Sequence, residues 1–174
     1  MTTNTLARKF GQNLLKTGEN LIKKSFELKP TEITGITART FIESYYPNAK
    51  VILMDGKYKL IGWDKWQDII ESDPTDLFKY IKDERDCDDF SYMFKYQIIR
   101  TLGIPCIVVH GHCYDEKGAW LFGHFWNAFI SDGKLYFLES ISDNWVEVEK
   151  GKPVWIPVGM TDKKREYRGI EFEF

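Results

Sequence analysis

From Trp120 to Ser140 the chain sets β-forming and aromatic residues on either side of one dipeptide, Asp132-Gly133. An Asp-Gly pair between two such runs signals a two-residue hairpin turn, and a turn of that length leaves no freedom in the register. Ser131 then faces Lys134, and Trp126 faces Glu139. Side chains alternate between the faces of a strand, so His124, Trp126, Ala128 and Ile130 share one face with Glu139, Phe137 and Leu135. His124 and Glu139 become diagonal neighbours, about 7–8 Å apart at the backbone. A carboxylate so placed can hold one nitrogen of the ring. Asn127 falls on the opposite face and stays outside the set.

The other nitrogen of His124 needs a partner, and Cys87 supplies a candidate. It stands in Asp86-Cys87-Asp88-Asp89-Phe90, where Phe90, Phe94, Ile98 and Leu102 recur every four residues and Gly103 follows as a stop. That spacing predicts a helix from about Cys87 to Leu102, with the thiol at its N-terminus. Unpaired backbone N–H groups there favour negative charge, whereas Asp86, Asp88 and Asp89 oppose it if they face the sulfur. In this arrangement Cys87 is the nucleophile, His124 the proton acceptor and donor, and Glu139 the group that orients the ring. The Cys87 N–H and Gln67 are candidate oxyanion donors, and Trp126 and His112 candidate substrate contacts. Cys87, Cys106 and Cys113 are odd in number and show no C-x-x-C spacing, so free thiols rather than a disulfide framework are expected.

Upstream of Cys87, a short helix is expected at Thr37–Tyr45, a β-hairpin from Lys50 to Gly62 around Asp55-Gly56, and a second helix capped by Asp64 and ended by Asp73-Pro74. Downstream of Pro105 the texture is strand: Cys106–Tyr114, Trp120–Ser131, Lys134–Ser140, Trp145–Val148, Val154–Val158, and a further run at Tyr167–Phe174. Helices followed by strands make an α+β fold in which the helix bearing Cys87 packs on an antiparallel sheet. Two parts are expected, an amphipathic basic arm over 1–30 and one domain over 31–174.

Charge supports that division. The 174 residues carry a formal net charge of −2, but the first thirty hold six Lys or Arg against two Glu. The arm, through residues 5–28, suits docking to a protein partner better than a membrane, because its apolar stripe is broken. The acidic body offers no basic, aromatic-interleaved patch for nucleic acid. No run approaches a membrane span and the N-terminus lacks a signal-peptide pattern, so a cytoplasmic location is expected. His110-Gly111-His112 is a weak zinc candidate without partners at a recurring spacing, and Gly111 between them suggests a bulge or a close backbone approach.

The runs Arg85–Ser91, Gly123–Asn127 and Asp132–Glu139 resemble the papain-like domain of the Marasmius oreades agglutinin type, with stand-alone bacterial and phage relatives, and more distantly transglutaminase-like folds. The resemblance spans Tyr46 to Asn144. It implies a papain-like fold, a Cys/His/acid triad at Cys87, His124 and Glu139, cysteine peptidase or amidase-like hydrolysis of a peptide or protein substrate, and calcium with Asp86, Asp88 and Asp89 as its contacts. The alternative is an inactive interaction module of that fold, such as a virion component docked through the N-terminal arm.

Overall fold

The computed structural model describes residues 28–157 and 163–174. Nearly all of the basic arm expected at 1–30 lies outside the described residues. The elements in chain order are β1 (Thr31–Thr34), α1 (Gly35–Tyr45), β2 (Lys50–Ile52), β3 (Lys57–Leu60), α2 (Trp63–Ser72), a 3-10 turn at Thr75–Leu77 and α3 (Cys87–Leu102). Six strands follow: β4 (Ile107–Tyr114), β5 (Trp120–Ser131), β6 (Lys134–Glu139), β7 (Asn144–Val148), β8 (Val154–Pro157) and β9 (Lys164–Glu173). The fold mixes helix and sheet, and sheet predominates. The main sheet has the order β2-β9-β4-β5-β6-β7 with β8 also on β9, and β1 and β3 form a separate pair.

The register counted from Asp132-Gly133 is the one observed, with Ser131 opposite Lys134 and Asn127 opposite Leu138. Asp132 and Gly133 have φ of 49° and 72°, the paired positive values that a type I′ turn requires. The hairpin expected around Asp55-Gly56 does not form. β2 runs parallel to β9, with Val51 opposite Phe172, and β3 runs antiparallel to β1, with Tyr58 opposite Ile33. The sheet is therefore not wholly antiparallel. A local turn signal has lost to pairing with a strand more than a hundred residues away, which buries Val51 and Tyr58 together in the core.

Helix α3 begins and ends where its sequence pattern places it. The Asp89 carboxylate accepts a hydrogen bond from the Asp86 N–H at 3.2 Å, closing a capping box. Gly103 ends the helix at φ 69°. Phe90, Phe94 and Ile98 are buried. For α2, Asp64 is not the cap: it lies in the first turn behind Gly62, and the Trp63 N–H instead donates to the carboxylate of Asp132 at 2.7 Å. The hairpin turn thus caps a helix 69 residues earlier in the chain.

Helices cover both faces of the sheet. Ala38 and Ile42 of α1 pack with Val109, Trp126, Phe137 and Phe172 on one side. On the other, Trp66 and Ile69 of α2 and Phe94 and Ile98 of α3 pack with Phe129 and Leu138. Two small features hold these layers in place. Asn127 is fully buried, donates to the carbonyls of Ser91 and Ile107 at 3.1 and 3.4 Å, and accepts from Ser140, so it ties α3 to β4 and to the end of β6. Gly111 sits at a bulge in the β4–β9 pairing. A Cβ there would collide with the Arg168 carbonyl and the Trp126 ring, so the close approach suspected from the sequence is present. Among the described residues no helix is long and apolar enough to cross a membrane.

Asp132→Ala should lower stability by about 2 kcal/mol, since it removes the cap on α2 and places a Cβ-bearing residue without a polar group at positive φ. Asp132→Asn should retain most of it, and urea unfolding distinguishes the two. Gly111→Ala should cost about 1–3 kcal/mol or more through overpacking, measured the same way.

Candidate functional site

The thiol of Cys87 is half-buried at the mouth of α3 and shares a hydrogen bond with the side chain of His124. His124 Nε2 lies 2.6 Å from Glu139 Oε2, which leaves Nδ1 for the thiol. The same carboxylate oxygen accepts from the Tyr167 hydroxyl at 2.6 Å, and Oε1 accepts from the Ile141 N–H at 3.4 Å. His124, Glu139 and Tyr167 are 3%, 1% and 1% exposed. A line of four polar groups therefore runs from the surface into the core, and only its sulfur end reaches water.

The sheet makes this possible. The β5–β6 ladder stops at Asn127 and Leu138, so His124 and Glu139 stand just beyond the last pair. There an imidazole rooted on the α1 side of the sheet meets a thiol from the helix on the other side. Three rings enclose His124. Trp126 lies nearly parallel at 6.0 Å, while Tyr167 and Phe122 meet it edge-on at 5.4 and 5.9 Å.

Burial by itself would depress the pKa of His124, but the Glu139 carboxylate and the hydrogen bonds to Cys87 and Glu139 raise it to about 9. The ring is an imidazolium at neutral pH. Burial, and then the charge of Glu139, push the Tyr167 phenol well above its ordinary range, so its hydroxyl remains a donor. Burial also raises the other two thiols, Cys113 to about 12 and Cys106 further. They stay protonated.

The acidic residues beside Cys87 have tasks that need no metal. Asp89 is engaged at the helix start. Asp86 and Asp88 hydrogen-bond to each other, which lowers the pKa of Asp86 and raises that of Asp88. Ligand atoms of Asp86, Cys87 and Asp88 lie within 4.8 Å of one another. A thiol and two carboxylates fit calcium poorly, because that ion takes six to eight oxygens. Asp89, the third proposed contact, faces the backbone instead.

The three residues expected to touch substrate do not join this cluster. Gln67 is on the exposed side of α2, whose Trp66, Ile69 and Ile70 face the core. Trp126 is fully buried beneath His124, and its Nε1 has no hydrogen-bond partner. His112 is on the opposite face of β4 from Gly111, the residue paired with His124, and its Nδ1 accepts from Trp120 Nε1 at 3.3 Å. His110 stacks on Phe125 at 4.7 Å. Tyr167 is the contributor that sequence reasoning missed; its only signal was an aromatic residue in a strand whose partner was unknown.

Tyr167→Phe should destabilise the protein by about 1.5–3 kcal/mol, because it removes a donor from a buried carboxylate. His124 also makes stability depend on pH. Between its unfolded value near 6.5 and its folded value of about 9, the folded state keeps a proton that the unfolded state has released. Its contribution is complete below that window and is lost as pH rises through it. Urea unfolding across the window should show falling stability, and His124→Gln should flatten the slope.

No family model matches the sequence, and no curated protein matches it. Ten chains of solved structures match the fold. One is described as a PSL1a-E64 complex, with a TM-score of 0.57 at 16% identity, covering 82% of this chain and 51% of that one. Another is Polyporus squamosus lectin bound to the human-type influenza-binding epitope Neu5Acα2-6Galβ1-4GlcNAc, with a TM-score of 0.56 at 17% identity, covering 82% of this chain and 49% of that one. The chain spans about half the length of the structures it resembles, and at these identities the likeness establishes the fold alone. The assignment to the papain-like peptidase domain of the Marasmius agglutinin type is corrected accordingly. With it go the cysteine peptidase or amidase-like activity, its inactive papain-like alternative, and the peptide or protein partner, since the similar structures are of a lectin and one holds a glycan.

Proposed function

We propose that this chain is a carbohydrate-binding module whose ligand seat is the mouth of α3, with Cys87 as a reactive thiol inside the seat. The observation that carries the location is the line Cys87, His124, Glu139 and Tyr167, sealed from water everywhere but at the sulfur. Cys87 supplies the sulfur, His124 holds the proton, Glu139 orients the ring, and Tyr167 braces the carboxylate. The ligand class is supported by the fold shared with lectin chains.

The rim has the chemistry a saccharide uses. Tyr80 and Phe122 are 45% and 37% exposed. Burial and then the nearby charge of Asp86 raise the pKa of Tyr80, and Phe122 meets the His124 ring edge-on. Aromatic faces accept the apolar side of a sugar ring, and carboxylates accept its hydroxyls. Because the carboxylates of Asp86 and Asp88 lie beside Cys87, a neutral saccharide is favoured over a sialylated one.

Alkylation tests both parts. Iodoacetamide, and E64 as a second probe, should modify Cys87 faster than Cys106 or Cys113, and N-acetyllactosamine should slow the reaction more than sialyllactose does. Uniform slow labelling of the three thiols would refute the reactive thiol. Rapid Cys87 labelling that no saccharide slows would refute the carbohydrate seat.

A further inference from the structure

At the opposite end of α3, about 20 Å from Cys87 by helical rise, a cavity of ≈ 460 Å³ opens between Ile99–Pro105, β3 and the end of β9. Its size lies within the range of small-molecule sites, about 300–1,000 Å³. Tyr58, Ile104 and Phe174 give it an apolar wall, with the rings of Tyr58 and Phe174 4.8 Å apart. Lys95, whose side chain is 11% exposed, and its partner Glu173 stand beside that wall.

Lys95 is held for a purpose that its own partner does not exhaust. Nζ donates to Glu173 Oε1 at 2.9 Å and to the Glu173 carbonyl at 3.2 Å. An ammonium has three donors, so one remains for whatever fills the cavity. Glu173 does not need it: its other oxygen accepts from the Tyr92 hydroxyl at 3.0 Å. At the rim, Lys57 is paired with Glu32 at 3.6 Å, which leaves Lys59 and Asp55 as one charge of each sign beside the cavity.

We infer that this cavity binds a small organic monoanion, its apolar body against Tyr58, Ile104 and Phe174 and its charged group on Lys95. The site is separate from the mouth of α3, and Cys87 alkylation does not report on it.

The test uses 2-naphthoate and its neutral isostere 2-naphthamide, with backbone amide shifts of the whole chain as the readout. Naphthoate should shift Ile99, Ile104 and Phe174 and bind about tenfold or more tightly than the amide. Lys95→Met should abolish that preference. Ile99→Trp, which leaves the Lys95–Glu173 pair intact and obstructs the opening, should weaken both probes. Equal affinity for the two probes, shifts confined to another surface, or an anion preference that survives Lys95→Met would each overturn the assignment.

Discussion

Two opposite charges taken out of water lose more in desolvation than their attraction returns, unless the remaining lone pairs and protons find partners. Glu139 meets that condition with donors from three places: the His124 ring on β5, the Tyr167 hydroxyl on β9, and the Ile141 N–H in the turn after β6. Much of the architecture follows. β9 has to lie against β4 for Tyr167 to arrive from the side, and the β5–β6 ladder has to end early enough to free His124. The chain has to bend directly after Glu139. A deep imidazolium can persist here because the strands converge on one carboxylate.

The second dependence is on close approach. Trp126 fills the space under His124 only because Gly111, across the β4–β5 ladder, has no side chain. Asn127, one residue further on and facing the other way, fixes α3 by its hydrogen bonds to Ser91 and Ile107. Consecutive residues of one strand thus set the floor of the site and the position of the helix that brings the thiol.

Local signals in the chain were informative wherever the structure is local. Asp132-Gly133 gave the β5–β6 register, and the four-residue spacing from Phe90 to Ile98 with Gly103 gave α3 almost to the residue. His124 and Glu139 could be placed together by counting from the turn. Contacts across long separations left no such mark. Nothing in Lys50–Ile52 announces a parallel partner at Glu171–Glu173, so Asp55-Gly56 suggested a hairpin that distant pairing displaced. Asp64 is the cap candidate visible in the local sequence of α2, whereas the actual acceptor, Asp132, lies 69 residues from Trp63. Trp126 shares the face of His124, as strand alternation predicts, yet lies buried beneath the ring, while His112 stands on the other face of β4 from Gly111, the residue opposite His124. The peptidase expectation rested on short runs around Cys87, His124 and Glu139, and such runs describe an arrangement of side chains more securely than they describe a ligand.

The position of β9 between β2 and β4 has a kinetic consequence. On a ribosome, β2 emerges early, yet its neighbour is not synthesised until residues 164–173 are made. Until then one edge of β4 is open, and the acceptor that holds His124 lacks the Tyr167 hydroxyl. The nascent sheet must wait, half-zipped, with an unpaired interior strand that a chaperone or a second nascent chain could capture.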